Sequence, residues 1–258
     1  MDRVEKYVEY PEYYDFDSEF KDDIPFYLKH AGLSGGAVLE LACGTGRILI
    51  PMAIAGLKIY GIDISDGMLN ICRQKIKESK TPLNAHIQKM DMADFNLAEK
   101  DFSFIFIAFR SFMHLFSQEA QLSCLRNVYR HLRPGGKFIV DLYAPVLRLL
   151  THERDGEFEL RREFTLANNN RVERWDRYLK GDIVKQLQRC EMRFAEYSPA
   201  GELLKEKILP MITRYTFPYE MQLLLEKVGF TVEGIYRDYD ENKYDGTGEM
   251  LTVCTKPM

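Results

Sequence analysis

The chain has 258 residues, of which 46% are hydrophobic and 29% are charged, and its formal net charge is −4. These values are typical of a globular chain with one large domain, or one domain with an addition, and they exclude collagen-like repetition and wholesale disorder. The longest apolar runs, near 37–43 and 104–109, are far shorter than the roughly 20 residues that cross a bilayer.

The first 30 residues are rich in tyrosine and acidic side chains, a balance that disfavours nucleic acid binding. They contain no basic flank followed by an apolar stretch, so no signal peptide is indicated and a cytoplasmic location is expected. The five cysteines, at 43, 72, 124, 190 and 254, include no C-x-x-C pair. They indicate neither a disulfide framework nor a metal site, and small buried thiols are expected instead.

From residue 36, short apolar runs alternate with segments of helical periodicity, which is the pattern of βαβ units and a parallel sheet. Five runs have the length of strands buried on both faces: Ala37–Leu41, Lys58–Ile62, Ala85–Gln88, Phe102–Ala108 and Lys137–Leu142. Two sets of apolar residues each share a helical face between these runs: Leu69, Cys72 and Ile76, then Leu122, Leu125 and Leu132. Helices covering the sheet are therefore expected.

The rhythm changes at residue 151, where strand-like runs alternate with turn signals at 168–170, 181–182 and 199–201. Four antiparallel strands are the simplest account of this segment. Helical periodicity returns after Pro218 and closes at Gly229, and strands are expected at 231–237 and 250–255. Because only a short loop separates these two strands, they must be antiparallel.

These elements predict an α/β fold with a doubly wound, seven-stranded, mostly parallel sheet, whose last strand is antiparallel. A four-stranded antiparallel sheet is inserted into it. The expected domains are an N-terminal helical lid at 1–35, a cofactor-binding core at 36–150, the inserted β subdomain at 151–215, and the completion of the core sheet at 216–258.

The segment 38–47 predicts a ligand site, because a strand runs into a glycine loop and then a helix. Glycines at 44 and 46 let the backbone approach a ligand, and the free N–H groups at the helix start can hold an anion. Asp63 ends the second strand, where a carboxylate can accept from ribose hydroxyls. Together the two features favour a nucleotide-like ligand over a simple strand-to-helix turn.

Two common nucleotides are disfavoured. A dinucleotide fingerprint needs a third glycine where this chain has Leu49, and a P-loop needs Gly-Lys-Ser or Gly-Lys-Thr, which is absent after Gly44.

Five motifs in order resemble those of the class I S-adenosylmethionine-dependent methyltransferases. They are Glu40-x-x-Cys43-Gly44-Thr45-Gly46, Gly61-Ile62-Asp63-Ile64-Ser65 with Met68-Leu69, Met90-Asp91-Met92, the segment 108–115, and Leu132-Arg133-Pro134-Gly135-Gly136-Lys137. The resemblance covers nearly the whole chain apart from the inserted strands. That insertion resembles the one in bacterial amino-sugar N-methyltransferases.

The resemblance implies S-adenosylmethionine as cofactor, with the glycine loop at its methionine part, Asp63 on the ribose and Asp91 on the adenine amino group. The implied contacts are Tyr14, Glu40, Ala42, Gly44, Gly46, Asp63, Ile64, Met68, Asp91, Met92 and Ala108. Core packing is an equal alternative for Ile64 and Met68, and an exposed loop carboxylate is the alternative for Asp91. The family often has glycine in place of Ala42.

Two residues are candidates for catalysis. His114 is the candidate base, because its ordinary pKa is near neutral, and a helix-capping histidine is the alternative. Tyr14 lies in a Tyr-Asp segment like the lid of small-molecule relatives, and packing of a first helix is its alternative.

Candidate acceptor contacts are Arg110, Phe112, Tyr143 and Trp175. An ion pair is the alternative for Arg110. For Trp175 three positions stay open: the roof of the pocket, a dimer face, or packing on the solvent side.

The expected function is therefore methyl transfer to a small molecule, on nitrogen or oxygen, with no metal, nucleic acid or membrane partner; a homodimer stays open. The alternatives are methylation of RNA or protein, a methyltransferase-like fold that uses the cofactor for a different reaction, and a non-catalytic module that binds the cofactor.

Overall fold

A computed structural model describes residues 10–143, 145 and 156–258. They fall into two compact units, each with its own sheet. The larger unit comprises the described residues of Phe20–Ala144 and Thr216–Met258, and the smaller comprises those of Met1–Glu19 and Pro145–Tyr215. The bounds of the four predicted domains stay predictions. Residues 1–9 of the expected lid and the expected boundary at 150 lie outside the described residues.

The larger unit contains a seven-stranded sheet with strand order β3-β2-β1-β4-β5-β11-β10. Its strands are β1 Val38–Leu41, β2 Ile59–Asp63, β3 Ala85–Lys89, β4 Phe102–Ile107, β5 Leu132–Tyr143, β10 Thr231–Tyr236 and β11 Glu249–Thr255. β1 pairs in parallel with β2 and β4, whereas β11 is antiparallel to both β5 and β10. The predicted sheet with a reversed last strand is confirmed.

Five helices of this unit accompany the sheet, at Ile24–Ser34 (α2), Leu49–Ile54 (α3), Asp66–Lys77 (α4), Gln118–His131 (α5) and Pro218–Val228 (α6). Serine side chains cap the N-termini of α4 and α5: Ser65 accepts from the Met68 N–H, and Ser117 accepts from the Ala120 N–H. Such N-caps satisfy donors that the first helical turn leaves unpaired. Gly229 ends α6 with φ of 110°, a value that favours glycine.

The core of this unit lies on both faces of the sheet, because β4 is buried along its entire length. Phe104 and Phe106 of this strand lie against α2: the Tyr27 ring stacks on Phe106 with centroids 4.7 Å apart, and the His30 ring centroid lies 6.2 Å from that of Phe104. A central strand buried on both faces explains the continuous apolar run in its sequence.

The smaller unit contains helix α1, Pro11–Asp17, and a four-stranded antiparallel sheet. The strands are β6 Glu159–Thr165, β7 Arg171–Asp182, β8 Leu187–Tyr197 and β9 Leu203–Arg214. Tyr10 and Tyr13 both stack on Phe194 of β8, at centroid distances of 4.9 and 5.5 Å. The predicted antiparallel insertion is confirmed.

Two details of the prediction are wrong. The expected turn at 181–182 belongs to β7, and the chain reverses at 183–186 instead. A Cβ at Gly181 would lie 2.5 Å from the Leu187 carbonyl oxygen, so this glycine permits a close approach of two strands at an irregular pairing. Leu132, expected on a helix face, begins β5, which pairs with β4 across a register shift around the Pro-Gly-Gly segment.

None of the helices in the described ranges is long and apolar enough to cross a membrane.

Candidate cofactor and methyl-transfer site

Most of the predicted site residues meet at the carboxyl edge of the parallel strands in the larger unit. β1 lies between β2 and β4, so connections leave its two neighbours in opposite directions. This arrangement is a topological switch point, where open α/β sheets bind ligands. Glu40, Asp63 and Ala108 lie at the ends of these three adjacent strands.

The loop after β1 exposes backbone at one glycine and packs tightly at the other. Gly44 has φ of 55°, and a Cβ built on it would have no heavy atom within 4 Å. Gly46 has φ of 83°, and its Cβ would meet the Cys72 sulfur at 2.7 Å. Gly44 therefore leaves open backbone for a ligand, whereas Gly46 lets the loop close onto α4.

Ala42 adopts φ of 57°, in the left-handed region that side chains disfavour. This conformation costs roughly 1–2 kcal/mol for a residue with a Cβ. The backbone at this position therefore has a conformation that favours glycine, although the residue is alanine.

Asp63 is held in a fixed orientation by two backbone donors. The Gly44 N–H donates to Oδ2 at 2.9 Å, and the Ser65 N–H donates to Oδ1 at 2.8 Å. The side chain is buried, and burial raises the pKa of its carboxyl group above the ordinary value, while the backbone donors oppose the rise. Each oxygen keeps a second lone pair, so the carboxylate can accept from a diol.

Glu40 is a buried carboxyl group with an unsatisfied oxygen. It is 4% exposed, and its Oε2 has no hydrogen-bond partner among the described residues. Burial raises the pKa of Glu40 well above its usual range, and the nearby Arg47 charge opposes the rise. A buried acceptor without a donor is costly, so this oxygen is suited to a cationic or N–H group of a ligand.

The residues implied at the adenine ring lie after β2 and β3. Met68 is buried in the first turn of α4, and Ile64 is half-buried just before that helix. Asp91 follows β3, where its Oδ1 accepts the Ala93 N–H at 2.8 Å, and the adjacent Met92 is half-buried. This local turn fixes the Asp91 carboxylate at the sheet edge.

The chain makes a strained turn directly after β4. Ala108 is buried at the strand end, and the next two residues, Phe109 and Arg110, have φ of 50° and 65°. Non-glycine residues with positive φ are uncommon, and such strain clusters at functional sites. A short 3-10 helix, Ser111–His114, follows and carries the half-buried His114.

Asp141, Tyr239 and Glu249, none of which is among the predicted site residues, stabilise this turn directly or through one another. The Phe109 N–H donates to Asp141 Oδ2 at 3.0 Å, and the Tyr239 hydroxyl donates to the same oxygen at 3.0 Å. Arg110 forms an ion pair with Glu249. The signal available in the sequence was a carboxylate at the end of the apolar strand β5. Its side-chain neighbours Tyr239 and Glu249 lie about a hundred residues away in the sequence and belong to no motif.

Asp141 is 1% exposed, and its Oδ1 has no partner in the described part of the chain. Burial and the neighbouring Glu249 charge raise the pKa of Asp141 to about 7, while Arg110 opposes the rise. Near neutral pH this carboxyl group therefore exchanges between its protonated and ionised forms.

Arg47, in the glycine loop, connects this turn to α2. Its guanidinium donates to both oxygens of Asp23 at 2.6 and 2.7 Å and to the Phe20 carbonyl oxygen at 2.9 Å. It also lies 4.8 Å from the Phe109 ring centroid. Bidentate pairing of this kind fixes the orientation of both groups.

The predicted acceptor contacts differ in accessibility. Phe112 is fully buried, whereas Tyr143 is half-buried, with the Arg110 guanidinium 5.7 Å from its ring centroid. The ion pair of Arg110 with Glu249 matches the alternative stated for it.

Tyr14 and Trp175 belong to the smaller unit. Tyr14 packs against its apolar cluster, and the Trp175 indole N–H donates to Glu173 at 3.1 Å. Their expected roles at the cofactor and acceptor stay predictions.

Comparison with known proteins supports the resemblance to methyltransferases. Residues 38–136 match the methyltransferase domain family. The putative methyltransferase YqeM of Bacillus subtilis is 31% identical over 109 residues, which are 42% of this chain and 43% of that protein. The chain therefore spans less than half the length of this relative.

Two solved structures share the fold over nearly the whole chain. The CcbJ methyltransferase from Streptomyces caelestis is 22% identical, with a TM-score of 0.81 and coverage of 100% of both chains. The sugar N-methyltransferase KedS8 from Streptoalloteichus sp. is 17% identical, with a TM-score of 0.76 and coverage of 98% of this chain and 94% of that one. These matches agree with the predicted resemblance to methyltransferases. By sequence, residues 38–136 match a methyltransferase domain, and the chain shares the fold of these solved methyltransferases.

Proposed function

We propose that this protein transfers a methyl group from S-adenosylmethionine to a nitrogen or oxygen atom of a small molecule. The observation that carries the proposal is the buried Asp63 carboxylate, which the Gly44 and Ser65 backbone N–H groups orient at the switch point of the sheet.

The residues present fit the cofactor. Gly44 leaves room beside open backbone, and Glu40 has a buried oxygen without a donor, which suits the cationic amino group of a methionine moiety. Asp63 would hold the ribose hydroxyls, and hydrogen bonds to a charged group contribute about 1.5–3 kcal/mol each. Ile64, Met68, Asp91 and Met92 would form the adenine side.

When bound, the cofactor supplies a methyl group already activated by its sulfonium. The protein therefore need not create a strong electrophile, and its main task is to align the acceptor. Orientation can supply about 7–11 kcal/mol of a barrier. The turn after β4, which follows the buried Ala108, is the element best placed for this task in the larger unit.

His114 would take the proton from the acceptor. It lies on the 3-10 helix that follows the strained turn, and its ring centroid is 6.5 Å from that of Phe116. A neutral imidazole can accept a proton near neutral pH, and a positioned base typically contributes 10²–10⁴-fold to a rate.

A small acceptor is favoured by the acidic net charge of −4 and by the structural neighbours, among them a sugar N-methyltransferase. We also propose a cytoplasmic location and no nucleic acid partner. A homodimer stays open.

Calorimetric titration with S-adenosylmethionine, followed by a panel of amine and hydroxyl small molecules scored for S-adenosylhomocysteine release, tests the proposal. We expect cofactor binding and turnover with at least one acceptor class. Binding without turnover on any small molecule would favour the non-catalytic module, and turnover only on RNA or protein would favour a macromolecular methyltransferase.

A further inference from the structure

The strained turn after β4 has a carboxyl group beneath it that no motif includes. Phe109 and Arg110 both have positive φ, a conformation that side chains disfavour and that persists only where surrounding contacts hold it. The Phe109 N–H, at the centre of this turn, donates to Asp141 Oδ2 at 3.0 Å.

The position of Asp141 is itself well determined. It belongs to β5, where it pairs with Leu251 of β11 and the preceding Val140 pairs with Ile107 of β4, so the sheet holds its backbone. The Tyr239 hydroxyl donates to the same Oδ2, and the Tyr239 ring packs against Phe20 and Phe26 at centroid distances of 5.8 and 5.7 Å. Asp141 is therefore a rigid acceptor for the turn.

The other contacts of the turn continue into the helix that carries His114. The Ser111 N–H donates to the Ala108 carbonyl at 3.2 Å, and the Met113 N–H donates to the Arg110 carbonyl at 3.0 Å. A change in the φ angles of the turn would therefore shift the start of the 3-10 helix relative to the end of β4.

We propose that Asp141 is a positioning residue for methyl transfer: through the Phe109 N–H it holds the turn that sets His114 and the acceptor side of the site relative to the cofactor loop. The role of Asp141 in methyl transfer rests on the proposed function, whereas its role in holding the turn does not. Asp141 is too deeply buried to contact an acceptor directly.

Two substitutions separate this role from general stabilisation of the core. Asp141→Ala removes the acceptor of the Phe109 N–H. Asp141→Asn keeps an oxygen that can accept from both Phe109 and Tyr239, so it is the matched control. If Asp141 only stabilised the core, its removal would affect the turn and the rest of the sheet edge to the same extent.

Amide hydrogen exchange needs no turnover and is measured first. In Asp141→Ala we expect exchange of the segment 108–115 to accelerate by about fivefold or more, while the glycine loop at 38–48 exchanges as in the wild type. Asp141→Asn should exchange like the wild type in both segments. Unchanged exchange at 108–115 in Asp141→Ala, or equal acceleration in both segments, would overturn the proposal.

Turnover is measured next. We expect Asp141→Ala to lower kcat about tenfold or more and to change cofactor affinity less than about threefold, with Asp141→Asn recovering most of kcat. A wild-type kcat in Asp141→Ala would overturn the catalytic part of the proposal. If the wild type turns over no acceptor, the proposed function fails, and hydrogen exchange alone decides whether Asp141 holds the turn.

Should Asp141→Ala not fold, Tyr239→Phe gives the same test with a smaller change, because it deletes one donor to Oδ2 and keeps the ring. Exchange at 108–115 should then accelerate about twofold or more, and no acceleration would count against the proposal.

Discussion

At the scale of single residues, the ligand site depends on carboxyl groups placed where water cannot easily reach them. Asp63 and Glu40 are both buried, and burial raises the pKa of each. The difference between them is their hydrogen bonding: both oxygens of Asp63 accept backbone N–H groups, whereas one oxygen of Glu40 has no partner among the described residues. We therefore expect Asp63 to be oriented before the cofactor arrives and Glu40 to gain its donor on binding.

Asp63→Ala should weaken S-adenosylmethionine binding at least about tenfold, which corresponds to about 1.4 kcal/mol, because the ribose would lose a charged acceptor. Calorimetry measures the change. Asp66→Ala is the matched control, since Asp66 is an exposed carboxylate three residues later, and its Kd should stay within about twofold of the wild type. Unchanged affinity of Asp63→Ala would remove Asp63 from the site.

Ala42→Gly should stabilise the protein by about 1 kcal/mol, because glycine adopts φ of 57° without the clash that alanine has. Urea denaturation measures the free energy of unfolding. The control is Ala55→Gly, at φ of −71°, where glycine has no such advantage and stability should not rise. A loss of stability in Ala42→Gly would show that the strain of Ala42 is relieved in solution.

His114→Ala should lower kcat about 10²-fold with little change in cofactor affinity, because a general base acts on the acceptor proton. Steady-state kinetics and calorimetry measure the two effects. The exposed His86 on β3 is the control, and His86→Ala should keep wild-type turnover. Undiminished turnover in His114→Ala would exclude His114 as the base.

At the scale of elements, charged and polar side chains surround Asp141 where β4 and β5 end and β11 begins. Asp141 faces Glu249 from β11, Arg110 and the Phe109 N–H from the turn, Tyr239 from the loop between β10 and β11, and Tyr27 from α2. Because the folded pKa is raised to about 7 and the unfolded value is near 3.9, the folded state binds more protons between these values. The contribution of Asp141 to stability is therefore present at low pH and declines as the pH rises toward 7.

The free energy of unfolding of the wild type, measured relative to that of Asp141→Asn, should consequently fall between pH 4 and pH 7 by at least about 1.4 kcal/mol, the equivalent of one pKa unit. Urea denaturation across this range measures it. The comparison cancels other groups that titrate in both proteins. A difference that stays constant with pH would mean that Asp141 has an ordinary pKa.

Elements were predicted from the sequence where local pattern dictates them. The apolar run of β4 predicts a strand from its own residues, and the short loop before β11 fixes the direction of that strand. The cluster around Asp141 was not predicted, because it forms only when β5 pairs with β11 and the Tyr239 loop folds back. The start of β5 was also missed, because Pro134 and the two glycines after it read as a turn rather than as an irregular strand.

At the scale of the whole molecule, cofactor binding should stabilise the folded state by linkage. At a concentration 100 times the Kd, S-adenosylmethionine should raise the free energy of unfolding by about 2.7 kcal/mol. At the same concentration Asp63→Ala, with tenfold weaker binding, should gain only about 1.4 kcal/mol. Urea denaturation with and without the cofactor measures both values, and equal gains would contradict the role of Asp63.

The chain has one tryptophan, Trp175, and it lies in the antiparallel sheet, outside the unit that contains Asp63 and Glu40. Its indole N–H is tied to Glu173, and the Arg193 guanidinium lies 5.9 Å from its ring centroid. Intrinsic indole emission is consequently a natural optical label for the smaller unit alone. A shift of that emission on titration with S-adenosylmethionine would show, without any added dye, that cofactor binding changes the environment of Trp175.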